Sequence, residues 1–185
     1  LTGCLSRGAF QERLDHESLL AERHYATFSL IVADVDNLKT LNDANGHHCG
    51  DRALKLLASV LRQAARETDV VGRLGGDEFA LLLHETDQEA AMAAATRLGG
   101  ALHDMAGSDW VTASIGVSTW LGPNDAPDAL LRRADEALYA AKRSGRNCAA
   151  AWEPPAAETP MGLQRLRSRP RHTPARRVTP AEAVG

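Results

Sequence analysis

The sequence predicts an α/β sandwich in which a central mixed β-sheet of about five strands is flanked by helices. Three features support this fold class. Helical and strand-like segments alternate along most of the chain, one run is apolar on both faces like a buried central strand, and two strands are joined by a turn so short that they must pair antiparallel. A chain of 185 residues is long enough to bury the core of one such domain.

The first half of the chain is predicted to form a helix, a strand and two further helices. Ser6 is a candidate N-cap for the first helix, and the run 27–35 is apolar on both faces, as in a buried central strand. A short helix follows over 37–45, and 46–51 is predicted to be a loop. Asp51 is the predicted N-cap of the next helix, whose apolar residues recur with the spacing of a face packed on the sheet.

Residues 70–83 form the predicted hairpin around which the rest of the chain is organised. Two apolar runs flank Gly75 and Gly76, a dipeptide that supplies positive φ at both central positions of a tight turn. Asp77 and Glu78 stand just past this turn. A hairpin needs the glycines but not the acids, so the two adjacent carboxylates favour a functional site over a solvated turn.

The second half of the chain is predicted to form a helix, a strand, a helix and a last short strand. Asp87 is the predicted N-cap of a long alanine-rich helix. A strand follows over 110–120, because its residues alternate as those of a strand do. The next helix covers 126–144, with Gly145 as its predicted C-cap, and the last strand covers 147–151.

From residue 152 onward, prolines and arginines replace the apolar periodicity. This predicts a folded domain over 1–151 followed by a disordered tail over 152–185. The net charge of −3 does not suggest a nucleic-acid binder, and no apolar run is long enough to span a membrane. The three cysteines show no disulfide or zinc pattern, so we expect a reducing, cytoplasmic location. Because the chain begins with Leu, we expect it to be an excised fragment.

Asp34 and Asp36 end the predicted central strand. A carboxylate in this position is costly unless a positive charge compensates it. Asp36 can act as N-cap of the following helix, whereas Asp34 still lies within the strand and favours a functional explanation. If Asp34 and Asp77 converge, two carboxylates and a backbone carbonyl suit Mg²⁺, which keeps waters and takes substrate phosphates. Such sites are typical of phosphoryl or nucleotidyl transfer with two metal ions.

Four further residues suit a nucleotide substrate. Lys142 and Arg146, at one helix end, are available cations for its outer phosphates. Asn42 and Asp51 offer an amide and a carboxylate to the base, and a carboxylate suits the N1–H and N2–H donors of guanine, whereas adenine lacks such a pair. The adjacent histidines at 47–48 could suggest a metal site, but no other ligand has suitable spacing.

Seven motifs in register resemble the GGDEF family, the bacterial diguanylate cyclases that join two GTP molecules into the second messenger cyclic di-GMP. The resemblance covers 1–151 and implies a fold like that of nucleotidyl cyclases and polymerase palm domains. Cys4, Ser6 and Leu38 depart from the usual family pattern but are not predicted ligands. The motifs are LTG at 1–3, DVDNLKTLND at 34–43, GHHCGD at 46–51, RETD at 66–69, GGDEF at 75–79, SIGVS at 114–118 and KRSGRN at 142–147.

The resemblance implies a role for each matching residue. Asp34, the backbone carbonyl of Val35 and Asp77 would bind Mg²⁺, or Mn²⁺, with two ions per active site. Asp77 or a metal-bound water would help to deprotonate the 3′-OH, with Glu78 as the alternative. The residues implied to contact GTP are Lys39, Asn42, His47, Asp51, Gly75, Gly76, Lys142 and Arg146.

The resemblance also implies partners and regulation. One domain holds one GTP, so catalysis needs an antiparallel homodimer, and a sensory or dimerisation domain that could anchor the full-length protein in a membrane normally precedes the segment. Arg66 and Asp69 lie at the spacing of the family's inhibitory cyclic di-GMP site, with Arg97 as a secondary contact. The simpler alternative is an exposed helix-end ion pair of little energetic value.

Two other functional classes remain open from the sequence. One is an inactive or weak relative that acts as a receptor for cyclic di-GMP or GTP, although both carboxylates at 77–78 are retained. The other is an enzyme of the same fold that cyclises a different nucleotide. Asp51 favours guanine, but it is a single residue. A comparison of the turnover of ATP with that of GTP would decide which nucleotide is the substrate.

Overall fold

The computed structural model describes residues 2–108 and 110–154. These residues form a mixed sheet of six strands flanked by five helices, which confirms the predicted fold class. The elements are β1 (Leu5–Ser6), α1 (Arg7–His24), β2 (Ser29–Val35), α2 (Leu38–Asn45), α3 (His47–Ala64), β3 (Val70–Arg73), β4 (Glu78–Leu83), α4 (Gln88–Ala106), β5 (Ala113–Thr119), α5 (Pro127–Arg143) and β6 (Ala149–Ala151).

The strands lie in the order β1-β3-β4-β2-β5-β6. β2 is central, pairs antiparallel with β4 and β5, and has all of its residues buried. The antiparallel β3–β4 hairpin is confirmed. The strand beyond the predicted set is β1, which pairs in parallel with Gly72 and Arg73 of β3. Its two residues are too few to show the alternation by which a strand is predicted.

Helices cover both faces of the sheet. On one face, Ile31 and Val35 of β2 pack with α3 and α4 in one core cluster. On the other face, Leu30 and Val32 pack with α1 and α5 in a second cluster. Because side chains alternate across a strand, Asp34 projects to the same face as Val32, toward the layer of α1 and α5. This alternation decides which helix can reach Asp34.

Gly116 of β5 allows α5 to lie close against the sheet. A Cβ at this position would collide with the carbonyl oxygen of Ala134 and with the backbone of Leu138. α5 carries Lys142 in its last turn. The close contact at Gly116 therefore sets the position of a predicted site residue.

Helix ends were predicted with mixed success. Ser6 and Asp87 are N-caps as predicted. α3 begins at His47 with Gly46 as its N-cap, so Asp51 lies in the second turn and the predicted loop over 46–51 is wrong. The reason is that Gly46, with a φ of 81°, provides the whole turn between α2 and α3.

The C-terminal end of the domain differs in detail from the prediction. The C-cap of α5 is Ser144, and Gly145 follows it with a φ of 117°. Trp152, the first residue of the predicted tail, packs on the domain: its backbone N–H donates to Val117 O at 2.7 Å, and Arg133 lies 5.2 Å from the centroid of its ring. Residues 155–185 of that tail lie outside the described residues. Among the helices described, none is long and apolar enough to cross a membrane.

Candidate active site

Three carboxylates meet where β2 ends and the β3–β4 hairpin turns. Asp34, near the end of β2, pairs in register with Glu78, the first residue of β4. Directly opposed residues of an antiparallel pair project to the same face, with Cβ atoms about 4.5–5.5 Å apart. Asp77 precedes Glu78 in the hairpin loop. The strand register thus brings together the acids that the sequence singled out, while their individual roles stay predictions.

The surroundings of Asp34 disfavour its ionised form. Its side chain is only 8% exposed, and this burial is the main reason why its pKa is raised above the ordinary 3.8. The charges of Asp77 and Glu78 raise the pKa further, whereas the hydrogen bond and charge of Lys142 oppose the shift. A cation placed among these carboxylates would relieve their mutual repulsion.

Lys142 reaches the carboxylate cluster from α5. Its Nζ lies 2.9 Å from Asp34 Oδ1, because α5 packs on the face of the sheet toward which Asp34 projects. Arg146 follows α5 in the left-handed conformation, with a φ of 66°, and is exposed. The predicted roles of both residues in phosphate binding stay predictions.

The hairpin tip differs from the predicted turn. Neither Gly75 nor Gly76 has a positive φ, so the prediction of two left-handed glycines is wrong. The loop closes instead through the N–H groups of Leu74 and Gly75, which donate to Glu78 O at 2.9 and 3.4 Å. This pairing leaves three residues between Leu74 and Glu78, so the loop is one residue longer than the two-residue turn for which positive φ at both central positions was predicted. A Cβ at Gly76 would meet no other atom, so the tip is open on that side.

Arg73 holds this tip in place, and the sequence reasoning missed it. Its Nε donates to Gly75 O at 3.2 Å, its Nη2 donates to Gly76 O at 2.6 Å, and its guanidinium lies 5.7 Å from the centroid of the Phe79 ring. An arginine at the end of β3, two residues before the glycines, was the available signal. The contacts themselves depend on where the loop carbonyls point, which the sequence pattern does not show.

Asp135 and Arg7 border the cluster and were also missed. Asp135 lies two turns before Lys142 on α5, and Arg7 is the first residue of α1. Burial, and then the charge of Glu78, raise the pKa of Asp135, whereas Arg7 and Lys142 act to lower it. Asp135 therefore lies within the field of the acidic cluster, although its side chain keeps contact with solvent.

Asn42 presents a buried acceptor without a partner. Within the described part of the chain, its Oδ1 is the only buried side-chain nitrogen or oxygen that lacks a hydrogen bond. It abuts Gly50 of α3, where a Cβ would collide with the Asn42 amide. An unpaired buried acceptor is costly, and a donor from a ligand would satisfy it. Asp51 follows Gly50, while Lys39 and His47 are exposed on α2 and α3.

Asp69 of the RETD segment is held by backbone donors. Its Oδ2 accepts from the N–H of Arg66 at 2.8 Å, and its Oδ1 accepts from the N–H of His84 at 3.2 Å. Arg66 is exposed, and Arg97 is exposed on α4. His84 Nδ1 also lies 2.5 Å from Glu17 Oε1, which links this region to α1. The role of Arg66, Asp69 and Arg97 in product binding stays a prediction.

The oxygen-rich cluster fits a divalent cation that is held partly by its substrate. No group of three or more His, Cys, Asp or Glu side chains within 2–108 and 110–154 is arranged to hold a metal by itself. Mg²⁺ needs no such cage, because it commonly takes one or two carboxylates and completes its shell with waters and phosphates. Val35 follows Asp34 directly and lies one residue past the last β2–β4 pair, so it belongs to the same end of the sheet, and the role of its carbonyl stays a prediction.

Comparison with known proteins identifies the family. A family model described as "Diguanylate cyclase, GGDEF domain" matches residues 1–148. The chain belongs to the GGDEF family. The diguanylate cyclase DgcP of Pseudomonas aeruginosa is 40% identical to this GGDEF domain over 152 residues, and the diguanylate cyclase DgcS of Shewanella oneidensis is 36% identical over 158. The matches cover 80% of this chain but only 22% of DgcP and 50% of DgcS, so the chain spans half or less of these relatives.

Solved GGDEF domains share the fold. The GGDEF domain of DgcB from Caulobacter crescentus, in complex with c-di-GMP, matches with a TM-score of 0.77 and 30% identity over 83% of this chain and 94% of that one. The diguanylate cyclase SiaD of Pseudomonas aeruginosa, solved with its activator SiaC, matches with a TM-score of 0.75 and 36% identity over 81% of this chain and 59% of that one. The family resemblance predicted from the motifs is therefore confirmed.

Proposed function

We propose that this GGDEF domain is a diguanylate cyclase that condenses two GTP molecules into cyclic di-GMP and two pyrophosphates. The register of Asp34 with Glu78 carries the proposal, because it places three carboxylates beside Lys142 at one end of the sheet. The named diguanylate cyclases among its relatives support the same activity.

In this reaction, each 3′-OH attacks the α-phosphorus of the GTP held by the facing subunit. The new P–O bond forms as the bond from the α-phosphorus to the bridging oxygen breaks, and pyrophosphate leaves with the electron pair. Asp77 accepts the hydroxyl proton, directly or through a water, and Glu78 is the alternative acceptor. Both acids belong to the hairpin tip that Arg73 holds.

The metal ligands are proposed to be Asp34, the Val35 carbonyl and Asp77. They would hold Mg²⁺, or Mn²⁺, with two ions per active site. The bound cations supply positive charge against the negative charge that develops on the reacting phosphate. The raised pKa of Asp34 supports this assignment, because the burial and neighbouring acids that raise it disfavour a carboxylate without a cation.

GTP is proposed to bind with its base near the α2–α3 contact and its phosphates near the C-terminal end of α5. The unpaired buried Oδ1 of Asn42 suits an N–H donor of the base, and the Asp51 carboxylate suits the N1–H and N2–H pair of guanine. Lys142 and Arg146 would take the β- and γ-phosphates. The remaining proposed contacts are Lys39, His47, Gly75 and Gly76.

Catalysis is proposed to need a homodimer, because each domain binds a single GTP and the product joins two. The two sites must face each other so that each hydroxyl reaches the other subunit's α-phosphate. A cytoplasmic location and a preceding sensory or dimerisation domain are proposals of the same kind.

Arg66 and Asp69, with Arg97 as a secondary contact, are proposed to bind cyclic di-GMP and stop turnover. A guanidinium suits the O6/N7 edge of guanine and the phosphates, and the Asp69 carboxylate is already oriented by two N–H donors. The complex of the DgcB GGDEF domain with c-di-GMP supports binding of this ligand by a related domain.

The proposal is tested by incubating the purified protein with Mg²⁺ and either GTP or ATP, at several protein concentrations, and resolving the nucleotides. We expect cyclic di-GMP from GTP, no cyclic product from ATP, and no product after chelation of the metal. Tight binding of added cyclic di-GMP without turnover of GTP would favour the receptor alternative. Cyclic products from ATP would favour an enzyme for other nucleotides.

A further inference from the structure

We propose that Asp36 is a positioning residue that holds the turn after α5, over 145–147, and thereby fixes Arg146 at the phosphate end of the site. The inference rests on the proposed binding of GTP by Arg146. It concerns a residue for which the sequence analysis predicted only a possible N-cap role, whereas the N-cap of α2 is Asn37.

Asp36 is a buried hub of hydrogen bonds between three segments. It is 7% exposed. Its Oδ1 accepts from Ser114 Oγ at 2.6 Å, and its Oδ2 accepts from Thr112 Oγ1 at 2.8 Å and from the backbone N–H of Asn147 at 3.0 Å. Both carboxylate oxygens are therefore engaged, in contrast to those of a group kept free for substrate. The contacts join the end of β2, the start of β5 and the turn after α5.

The turn that Asp36 holds has an uncommon backbone conformation. Gly145, Arg146 and Asn147 are three consecutive residues with positive φ, at 117°, 66° and 48°. Non-glycine residues adopt this region infrequently, and Arg less readily than Asn, so the conformation of Arg146 in particular needs support from its surroundings. Here Arg146 N–H donates to Ala141 O at 3.2 Å, and Asn147 N–H donates to Asp36. Arg146 thus lies between two anchored peptide groups.

This arrangement couples the cationic end of α5 to the acidic end of β2 at two points. Lys142 contacts Asp34 directly, and the Asp36–Asn147 hydrogen bond fixes the chain four to five residues later. Loss of the second link would free the turn and let the Arg146 guanidinium sample positions away from the phosphates. Binding energy of the β- and γ-phosphates should therefore depend on Asp36, whereas recognition of the base at α2 and α3 should not.

The test compares the affinities of two guanine nucleotides for wild type and Asp36→Asn by calorimetry with Mg²⁺. One is a GTP analogue with a methylene bridge between the α- and β-phosphates, which prevents turnover, and the other is GMP. We expect Asp36→Asn to weaken the analogue about tenfold, equivalent to about 1.4 kcal/mol, and GMP less than about twofold. An equal loss for both nucleotides, or no loss, would overturn the proposal.

Two further variants separate positioning from general damage. Asn147→Gly keeps the N–H and tolerates the left-handed φ, so it should retain the wild-type ratio of affinities. In an Arg146→Ala background, Asp36→Asn should cause no additional loss of affinity for the analogue, and full additivity of the two losses would overturn the proposal.

If Asp36→Asn does not fold, Ser114→Ala replaces it in the test. This variant removes the hydroxyl that donates to Asp36 Oδ1 and keeps the negative charge of Asp36. We then expect the affinity for the analogue to fall about threefold while the affinity for GMP does not change. An unchanged ratio of the two affinities would overturn the proposal.

The proposed function and this inference fail in different ways. If wild type binds the analogue and GMP equally, the assignment of Arg146 and Lys142 to the outer phosphates is wrong. If Arg146→Ala weakens the analogue selectively but Asp36→Asn does not, the positioning role alone is wrong.

Discussion

Asp34 and Asp125 both have mostly buried side chains, but their surroundings shift their pKa values in opposite directions. Burial, with Asp77 and Glu78 adding to it, raises the pKa of Asp34. Burial alone would also raise the pKa of Asp125, but hydrogen bonds from Arg133 and from the Leu121 N–H, together with the Arg133 charge, lower it. Asp125 is thus a satisfied structural carboxylate, whereas the pKa of Asp34 stays raised even beside Lys142, a perturbation that is common at functional sites.

Asp34→Asn should remove turnover without destabilising the domain at neutral pH. Because the folded-state pKa of Asp34 lies above 3.8, its contribution to the free energy of unfolding is greatest below that pH and falls as pH rises through the raised pKa. The variant should therefore be at least as stable as wild type at pH 7, with the difference shrinking toward pH 3.8. Denaturant unfolding across this range measures the effect, and turnover should fall roughly a thousandfold.

Asp125→Asn is the matched control with the opposite sign. Its folded-state pKa is lowered, so its contribution is present above 3.8 and is lost as pH falls through the lowered value. Breaking its largely buried pair with Arg133 should cost about 3 kcal/mol of unfolding free energy at neutral pH. A destabilised Asp34→Asn protein at pH 7, or a neutral Asp125→Asn protein, would contradict this reading of the two sites.

Arg66→Ala should relieve inhibition by cyclic di-GMP while leaving the initial rate largely unchanged. Only the side chain is removed, and the N–H that donates to Asp69 stays in place. The inhibition constant should rise at least about tenfold, as expected for loss of a charged bidentate contact. Glu67→Ala, at an exposed position inside the same segment, is the control and should be inhibited like wild type. Unaltered inhibition of Arg66→Ala would remove the inhibitory-site assignment.

Among the elements, α5 brings predicted site cations toward the acidic cluster, because it carries Lys142 and leads directly to Arg146. Its distance from the sheet depends on Gly116, whose missing side chain leaves room for the helix backbone. Helix α5 thus connects the packing contact at Gly116 to the cations beside the candidate active site.

Gly116→Ala should push α5 from the sheet, lower the free energy of unfolding by about 1–3 kcal/mol and reduce GTP affinity. The methyl group would meet the helix backbone, which cannot rotate away as a side chain can. Gly100→Ala on α4 is the control, since a Cβ there meets no other atom. It should stabilise the helix by about 0.5–1 kcal/mol and leave affinity unchanged. Equal stability and affinity in the two variants would contradict the packing argument.

The sequence predicted those parts of the fold that depend on local pattern. The apolar central strand, the hairpin and the acids at its tip could be predicted because each is visible within a few residues. β1 could not, because its two residues pair with a strand distant in the chain. The contacts of Asp36 with Thr112, Ser114 and Asn147 could not either, since they join segments more than 70 positions apart along the chain. The two left-handed glycines were predicted wrongly because a two-residue turn was assumed, whereas the hydrogen bonds of Leu74 and Gly75 to Glu78 close a loop of three residues.

For the whole molecule, the proposed function implies that one domain would supply only half of the reaction. The chain offers one acidic cluster with one set of nearby cations. Within the residues described, no group of His, Cys, Asp and Glu side chains forms a preassembled metal cage, and the proposed Mg²⁺ would take its remaining ligands from water and substrate phosphates. Activity should therefore depend on encounter between two GTP-loaded domains.

The rate of product formation should accordingly rise with the square of protein concentration when the domains are mostly monomeric. The control is a chain in which a fused coiled coil brings two domains together, for which the rate should rise linearly. The dependence is measured from initial rates across a hundredfold range of concentration. A rate that is linear in unfused protein, at concentrations where sedimentation shows monomers, would contradict the need for a homodimer.

The most direct test compares wild type with Asp77→Asn at high protein concentration, with GTP and Mg²⁺, while circular dichroism checks that both are folded. We predict that wild type forms cyclic di-GMP at a rate that slows as product accumulates, and that the folded variant forms essentially none. Full activity in Asp77→Asn, or no cyclic di-GMP from wild type where a dimer is demonstrated, would contradict the assignment of this acidic cluster as a diguanylate cyclase site.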